Sequence, residues 1–464
     1  MLYITLYGGV GKIGGNITLI EENKSKILLD FGKDFEQYSK FFEFPFRYPL
    51  YSLEKELIKT EIIPKIKSHE GKDLNILASF EDDKIYDEGS VDIDGVFISH
   101  AHYDHSGFYP LLKSSAKVYM GKLSELIFRA LQSIKEFKSL EDKMFWLKDE
   151  KVPRVKVDTF FRREKKKVGD FEIIPMAVDH SIPGSYAFII NTGNFRIAYT
   201  GDFRIHGIAK EYSFEFLEEL KRERLDLLIC EGTNLGMSKV ESEEKVKIEI
   251  EDAIKRFLNL KGKLIIAEVR STDIDRVGDF FDIGKRFDLD IIISSKLAYL
   301  IREIRKEGLD KRILSPLPDL KKDVKIFNRK ERGWEKELAD NYSTVNSLEV
   351  LEKPTLFIDT SRINPFKISL PKPTLYILSI SEHAFEDEEI SQERFLNSLI
   401  VNGFLVYRIH SSGHIHALDL INFVKEAKPR YLIPIHTEYP LAFKELFKDE
   451  VIIPEKGKSI SFKC

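Results

Sequence analysis

The chain has 464 residues, of which 43% are hydrophobic and 32% charged, and its formal net charge is −4 at pH 7. This length predicts two domains, because one hydrophobic core stops growing near about 250–300 residues. The composition is typical of a soluble globular protein, and the charge by itself does not indicate nucleic-acid binding. With two cysteines, no apolar run of membrane-spanning length and no secretion-signal pattern, the sequence predicts a cytoplasmic protein without disulfides.

The first ninety residues combine short strands with a long insertion. Residues 16–20 and 25–29 flank a polar turn, which predicts a β-hairpin. Residues 35–90 hold a cluster of aromatic side chains, several prolines and many charges, so we interpret them as an insertion. A packed loop or flap is one interpretation of the insertion, and an aromatic surface that stacks nucleic-acid bases is the other.

Polar residues recur where apolar strands end. Strands are predicted at residues 96–99, 171–176, 185–191, 196–199 and 225–230. The first runs into the sequence His-Ala-His-Tyr-Asp-His at 100–105, and His180 lies between the second and the third. The last two end at Asp202 and Glu231. Because α/β sheets carry their sites at the carboxyl ends of strands, these residues are expected to lie together.

The pattern changes from about residue 242. Ser242 is the predicted N-cap of a helix with acidic residues in its first turn, and helical spacing of apolar residues continues beyond it. Strands at 264–267 and 290–294 then alternate with helices at 274–287 and 297–306, which predicts a doubly wound α/β unit without metal ligands of its own.

Near residue 405 the strand-then-histidine pattern returns. A strand at 405–409 leads into His-Ser-Ser-Gly-His at 410–414, and a strand at 431–435 leads into His436. Imidazole and carboxylate are good ligands for zinc or manganese, and a bridging carboxylate such as Asp202 suits two neighbouring cations. Any one of these histidines alone would be interpreted as a core or surface residue, but the whole set predicts a two-metal site.

The motifs at 100–105, His180 and Asp202, together with Asp30, resemble the metallo-β-lactamase superfamily in their order along the chain. Glu231, His414 and His436 resemble the three added motifs of its β-CASP nuclease branch. Gly-Gly-Val-Gly-Lys-Ile-Gly-Gly-Asn at 8–16 and His-Ser-Ile-Pro at 180–183 are most similar to the ribonuclease J family, in an archaeal style without the extra C-terminal domain of bacterial members.

This resemblance implies a metallo-β-lactamase αββα sandwich with an inserted Rossmann-like β-CASP domain. Residues 1–234 would form the first part of the metallo-β-lactamase domain, including the insertion at 35–90. Residues 235–400 would form the β-CASP domain, and residues 401–464 would close the first domain.

The resemblance also implies the roles of the site residues. Two divalent ions are expected, zinc with manganese as the alternative, and they would lower the pKa of a water so that hydroxide attacks phosphorus. The first ion would be held by His100, His102 and His180, and the second by Asp104, His105 and His436, with Asp202 bridging. The catalytic set would be Asp104, His414 as the acid for the leaving oxygen, and Glu231, which orients it. The phosphate would lie against His410, Ser411, Ser412, Gly413 and His414.

The predicted function is hydrolysis of RNA phosphodiester bonds in RNA processing or decay. Histidine at position 436 favours RNA over DNA, because the β-CASP members that act on DNA usually have valine there. The stretch that binds the 5′ end in ribonuclease J relatives has no clear counterpart beyond residues 359–362 and 379–383, so endonuclease and 5′-exonuclease action both stay open. A homodimer is an open expectation, and no membrane partner is expected.

The motifs leave three alternatives to an RNA phosphodiesterase. A DNA nuclease of the same branch would have the same metal site. A small-molecule metallo-hydrolase would not need the long segment between Asp202 and His436. A non-catalytic RNA-binding scaffold would not need a complete ligand set.

Overall fold

The structure is a computed structural model, and it describes residues 1–42, 54–81, 84–135, 139–147, 152–236, 241–306, 316–328, 333–359, 369–380 and 386–463. The strands are β1 (Leu2–Leu6), β2 (Thr18–Glu22), β3 (Ser25–Leu29), β4 (Ser79–Glu81), β5 (Lys84–Tyr86), β6 (Gly95–Ile98), β7 (Val118–Gly121), β8 (Val157–Phe160), β9 (Lys166–Val168), β10 (Phe171–Ala177), β11 (Tyr186–Asn191), β12 (Arg196–Tyr199), β13 (Leu227–Glu231), β14 (Leu264–Val269), β15 (Asp290–Ser294), β16 (Lys325–Phe327), β17 (Thr344–Val345), β18 (Thr355–Asp359), β19 (Thr374–Ser379), β20 (Phe404–Arg408), β21 (Tyr431–Ile435) and β22 (Ser459–Phe462).

The helices are α1 (Phe35–Phe42), α2 (Glu54–Lys59), α3 (Tyr103–Ser106), α4 (Lys122–Ile134), α5 (Leu140–Phe145), α6 (Lys210–Arg222), α7 (Glu243–Asn259), α8 (Ile274–Arg286), α9 (Ser295–Lys306), α10 (Gly333–Asn341), α11 (Glu386–Val401), α12 (Ala417–Ala427) and α13 (Pro440–Phe447). Short 3-10 turns lie at Tyr109–Leu111, Thr233–Gly236 and Lys448–Glu450. Among the helices in the described ranges, none is long and apolar enough to cross a membrane.

Two sheets stack face to face and carry the candidate site at one edge. The first sheet has the order β22-β1-β2-β3-β6-β7-β8, and the second has the order β21-β13-β12-β11-β10-β9. Alternate apolar side chains such as Ile4, Phe97, Phe188 and Ile229 fill the space between them, because successive residues of a strand point to opposite faces. Helices cover both outer faces, so the αββα sandwich is confirmed.

A third sheet forms the inserted domain. Its order is β17-β16-β15-β18-β14-β19-β20, and all of its neighbouring pairs are parallel. The Ser242 side chain accepts a hydrogen bond from the Lys245 amide and caps α7. Strand β20 pairs with β19 and lies beyond residue 400, where the predicted domain ended, because the parallel register extends the sheet to Arg408. The alternation of strands and helices is that of a Rossmann-like unit.

The insertion predicted at residues 35–90 is packed against the first domain in its described part. Leu57, Ile63 and Phe80 are buried in the largest hydrophobic cluster, which favours the packed-loop interpretation for this part. In α1, Phe41 is exposed. The remaining aromatic residues of the predicted cluster, at 44, 46, 48 and 51, lie outside the described residues, so base stacking stays a prediction.

A buried ionic network joins the two domains beside the candidate site. The Arg204 guanidinium donates to Asp179 at 3.2 Å, Glu243 at 2.6 Å and Asp275 at 2.7 Å. Arg276 of α8 contacts the other oxygen of Glu243. Asp179 and Arg204 precede and follow predicted metal ligands by one and two residues, so this network couples the metal loops to the inserted domain.

Candidate metal centre

The predicted ligands leave the carboxyl ends of several strands and meet in one pocket. His100 follows β6 after Ser99, and the short helix α3 carries Asp104 and His105. His180 lies in the β10–β11 loop, Asp202 follows β12, and His436 follows β21 directly. His436 has a positive φ of 52°, a sparsely populated conformation that aims its ring back into the pocket.

The first group of ligand atoms surrounds a single point. His102 Nδ1 lies 3.1 Å from His100 Nε2 and 3.1 Å from His180 Nε2. Asp202 Oδ2 lies 3.7 Å from His100 Nε2 and 3.9 Å from His180 Nε2. Three imidazole nitrogens and one carboxylate oxygen at this spacing suit a tetrahedral zinc site.

The second group shares the same oxygen of Asp202. Asp202 Oδ2 lies 3.0 Å from His105 Nε2 and 3.7 Å from His436 Nε2. Asp104 Oδ2 is 3.2 Å from His436 Nε2 and 3.8 Å from His105 Nε2. The structure therefore brings together all seven residues that the sequence singled out as ligands, in two sets joined at one carboxylate.

Hydrogen bonds on the far side of three rings fix which nitrogen faces the pocket. His105 Nδ1 lies 2.7 Å from Asp30 Oδ2, and His180 Nδ1 lies 2.6 Å from the Gly413 carbonyl oxygen. An acceptor at Nδ1 holds the proton there, so Nε2 presents its lone pair to the pocket. The Thr233 hydroxyl lies 2.8 Å from His436 Nδ1 and orients that ring in the same way.

The charge state of the first three rings fits metal binding. Burial lowers the pKa of His100 and His180 well below the usual range, and it lowers the pKa of His102 to about 4. These rings are therefore neutral near pH 7, as a ligand must be. Burial also opposes protonation of His105, but the carboxylates of Asp202 and Asp30 outweigh it and raise the pKa of this ring.

Two observations test whether the pocket fits cations. Asp202 Oδ1 is buried without a hydrogen-bond partner among the described residues, which is costly for a carboxylate in the protein interior. His102 Nδ1 faces two other ring nitrogens, and a single proton cannot serve both contacts. Cations at the two groups would satisfy the carboxylate and all of the lone pairs at once, so the residues fit them.

His414 and Glu231 form a pair at the edge of the second group. His414 Nδ1 lies 3.1 Å from Glu231 Oε1 and 3.1 Å from the Thr233 hydroxyl. Burial disfavours the charged ring, but the carboxylates of Glu231 and Asp202 overcome it and raise the pKa of His414 to about 9. His414 is thus protonated near neutral pH, with Nε2 turned away from Glu231.

Glu231 is completely buried and its second oxygen is also used. It is the last residue of β13, and its Oε2 accepts a hydrogen bond from the Thr233 amide at 3.0 Å. Glu231, His414 and His436 also lie close enough to form a third potential ligand set. We assign His436 to the second group, because its Nε2 faces Asp104 and Asp202.

The residues of the loop before His414 differ in their contacts. Ser411 is buried and donates to the Glu241 carbonyl at 2.5 Å, and the Ser412 hydroxyl lies 3.2 Å from Asn234. A side chain at Gly413 would collide with Ser181, so this position allows a close approach of the backbone. Both ring nitrogens of His410 are buried without a partner in the described part of the chain. Phosphate binding by this loop stays a prediction.

Sequence reasoning missed the residues that hold the ligands in place. Thr233 contacts both His414 and His436, and Asn16 lies 3.1 Å from His105 Nε2. The Tyr199 hydroxyl donates to Asp30 at 2.6 Å, and the Ser99 amide donates to it at 2.7 Å. Asn16 and Thr233 stood inside recognised motifs, but their partners are remote in sequence, so no local pattern identified their roles.

Comparison with known proteins agrees with this geometry. The family described as a beta-lactamase superfamily domain matches residues 83–267, and a Zn-dependent metallo-hydrolase RNA specificity domain matches residues 401–454. Ribonuclease J of Mycoplasma pneumoniae is 24% identical over 94% of this chain and 68% of the relative. Ribonuclease J 2 of Streptococcus pyogenes is 26% identical over 97% and 72%.

Two further comparisons cover almost the whole of both chains. Ribonuclease J of Pyrococcus abyssi is 20% identical over 97% of this chain and 93% of the relative. A crystal structure of a protein of unknown function from Enterococcus faecalis superimposes with a TM-score of 0.72 at 21% identity, and it covers 99% of each chain. At that identity the superposition shows the fold alone.

The stacked sheets, the strand-end histidines and the two matched families define a metal-dependent hydrolase of the metallo-β-lactamase superfamily. The curated proteins to which the chain is similar are ribonucleases J.

Proposed function

We propose that this protein is a metal-dependent ribonuclease that hydrolyses RNA phosphodiester bonds. The observation that carries the proposal is Asp202 Oδ2, which belongs to both ligand groups and lies 4.0 Å from His414 Nδ1. Phosphodiester hydrolysis requires that the phosphate charge be neutralised and that the leaving oxygen be protonated. Two cation positions can serve the first requirement, and a protonated histidine beside them can serve the second.

The proposed cofactor is a pair of divalent cations, zinc with manganese as the alternative. Cations at the two groups supply Lewis acidity and an activated water for attack on phosphorus. The protein orients His105, His180 and His436 through Asp30, the Gly413 carbonyl and Thr233. Such partners keep the ligands in place without reorganisation during the reaction.

His414 is proposed as the acid that protonates the leaving 3′ oxygen. Glu231 holds Nδ1, so the proton on Nε2 is left for donation to the leaving oxygen. Glu231 also favours the charged ring, so the proton is present before bond cleavage begins. After donation, neutral His414 regains a proton from solvent through its partly exposed side.

RNA is proposed as the substrate over DNA and small molecules. The matched RNA specificity domain covers His414 and His436, and the similar curated proteins are ribonucleases. A small-molecule hydrolase does not need the inserted seven-stranded domain next to its metals. The stretches at 359–362 and 379–383 that bear on 5′-end binding lie largely outside the described residues, so exonuclease and endonuclease action are left to experiment.

Matched RNA and DNA single strands test the substrate. We expect the metal-loaded protein to cleave the RNA and to spare the DNA of the same sequence, with labelled products resolved on a gel. A 5′-blocked RNA that yields a ladder of products shows endonuclease action, whereas protection by the block shows 5′-exonuclease action. Preferential digestion of the DNA strand would contradict the proposal.

His414→Gln tests the proton donor. We expect kcat to fall by about 10²–10⁴, because the leaving oxygen then departs without its acid. Metal content by elemental analysis should equal that of the parent, since His414 belongs to neither shared ligand group. Asn422→Asp, at an exposed position of α12 away from the pocket, is the surface control and should keep full activity. Unchanged kcat in His414→Gln would rule out the assigned role.

The proposed setting is the cytoplasm, which agrees with Cys230 as a buried free thiol. A homodimer stays a prediction. The edge strand β20 bears exposed Leu405 and Tyr407, and sedimentation equilibrium measures whether two chains associate.

A further inference from the structure

The proposed proton donor reaches the metal pocket on a segment of chain that crosses between the two domains. Strand β20 ends at Arg408 in the inserted sheet, and α12 begins at Ala417 in the metal domain. His414 lies between them, on residues 409–416, which we call the crossing segment. This segment belongs to no strand or helix, so its position depends on contacts with other parts of the chain.

The two ends of the crossing segment belong to different domains. The Ile409 carbonyl accepts a hydrogen bond from the Ser379 hydroxyl of β19 at 2.6 Å, which ties this end to the inserted sheet. Ile415 is buried in the hydrophobic cluster of the metal domain that includes apolar residues of α6 and α12. His414 therefore lies close to the point where the chain passes from one domain to the other.

Two histidines of the metal domain hold carbonyl oxygens on the N-terminal side of His414. His206 Nε2 lies 3.0 Å from the Ser412 carbonyl oxygen, and His180 Nδ1 lies 2.6 Å from that of Gly413. A carbonyl oxygen only accepts hydrogen bonds, so each ring carries its proton on the nitrogen that faces the crossing segment. His180 is a predicted metal ligand, whereas His206 belongs to neither ligand group.

Asn234 holds the next two carbonyl oxygens. Its amide nitrogen donates to those of His414 and Ile415 at 2.9 and 3.0 Å. Asn234 is buried in the turn that follows β13, three residues after Glu231. The turn that follows the carboxylate partner of His414 therefore also fixes the backbone of His414. Side chains of the metal domain thus bind four consecutive carbonyl groups, from Ser412 to Ile415.

His206 is well suited to hold a buried carbonyl group. Burial, with the nearby Arg204 and His416, lowers the pKa of His206 to about 3, so the ring is neutral near pH 7. A neutral donor adds no charge beside Arg204, whereas a lysine would. The rings of His206 and His416 lie with their centroids 4.3 Å apart, which restricts rotation of the donor. His206 is therefore a fixed, uncharged hydrogen-bond donor to Ser412.

We propose that His206 and Asn234 are positioning residues that hold the crossing segment to the metal domain and so keep His414 beside the metal ligands. This inference rests on the proposed ribonuclease function. Both residues act through His414, and neither transfers a proton itself. Proton donation requires His414 to lie within hydrogen-bond reach of the leaving oxygen, so its displacement slows the chemical step more than it weakens substrate binding.

His206→Leu and Asn234→Asp each remove a donor while keeping a similar volume. In Asn234→Asp a carboxylate also faces two carbonyl oxygens and repels them. On single-stranded RNA we expect kcat of each metal-loaded variant to fall by about 10–10²-fold, with KM changed less than about twofold, because a small displacement of a reacting group has an effect of this size.

Two matched variants show whether the lost hydrogen bond is the cause. The amide nitrogen of His206→Gln can take the place of Nε2 and donate to Ser412, so this variant should keep at least about half of the parent kcat. Asn422→Asp makes the same chemical change as Asn234→Asp at an exposed position of α12, and it should keep the parent kcat. If His206→Gln loses as much activity as His206→Leu, the carbonyl contact is not the cause.

Bis(p-nitrophenyl) phosphate separates a displaced proton donor from a damaged fold. Its leaving p-nitrophenolate is stabilised by resonance and departs without a proton, so its hydrolysis depends on the metals and not on His414. We expect His206→Leu, Asn234→Asp and His414→Gln to hydrolyse this diester at the parent rate, with the parent metal content by elemental analysis. Equal losses on RNA and on the diester would show a general structural defect and would overturn the proposal.

A double variant shows whether His206 acts through His414. His206→Leu combined with His414→Gln should cleave RNA as slowly as His414→Gln alone, since no donor is left to position. Asn234→Asp in the His414→Gln background repeats the measurement at the second residue. Independent losses that multiply in both double variants would assign His206 and Asn234 a different role.

The activity of the parent protein distinguishes failure of this inference from failure of the proposed function. If the parent cleaves RNA and both His206→Leu and Asn234→Asp match it in kcat, the positioning role is overturned and the ribonuclease function stands. If the parent does not cleave RNA, the ribonuclease function fails, and the positioning role that rests on it falls too.

Discussion

Asp202→Asn is expected to remove most of the bound metal and to lower kcat by at least about 10³-fold. One oxygen of Asp202 belongs to both ligand groups, so its loss weakens both cation positions at once. The neutral amide also removes the negative charge that offsets two divalent ions in a buried pocket. Elemental analysis of the purified variant and its rate on RNA measure the two effects.

The metal content of His436→Ala shows whether Asp202 serves both ligand groups or only one. His436 belongs to the second group and not to the first, so we expect about one ion per chain to remain. Thermal unfolding of both variants checks that the sheets are intact. If Asp202→Asn keeps two metal ions per chain and its activity, Asp202 is not shared by the two ligand groups.

Arg204→Met is expected to lower the free energy of unfolding by about 3–5 kcal/mol. The Arg204 side chain is completely buried and contacts Asp179, Glu243 and Asp275. Methionine fills a similar volume without charge, so the three carboxylates that contact Arg204 lose their shared cation. Removal of one partner of a buried network costs more than the network itself contributes, because the remaining charges stay desolvated.

Urea denaturation followed by circular dichroism measures the Arg204 effect. Arg256→Met is the matched control, since Arg256 is 74% exposed on α7 and pairs with Asp252 one helical turn away. An exposed pair of this kind contributes at most about 1 kcal/mol. We also expect kcat to fall in Arg204→Met, because Asp179 and Arg204 border His180 and Asp202 in sequence. Equal stability of the two variants would refute the role of the network.

The sequence by itself determined the metal motif and much of the local structure. His100, His102 and His105 are close in the chain, so the turn that follows β6 is enough to bring them together. Strand β15 and strand β21 have the predicted bounds, since continuous apolar runs of that length are typical of buried parallel strands. The cap at Ser242 is a local hydrogen bond and was predicted for that reason.

Only the tertiary structure decided how remote residues meet. Glu231 and His414 are 183 positions apart, and Tyr199 and Asp30 are 169 apart. Strand β20 was assigned to the closing segment from the sequence, but its pairing with β19 places it in the inserted sheet. Apolar periodicity specifies an element and its buried face, whereas the choice of partner depends on packing and charge across the whole molecule.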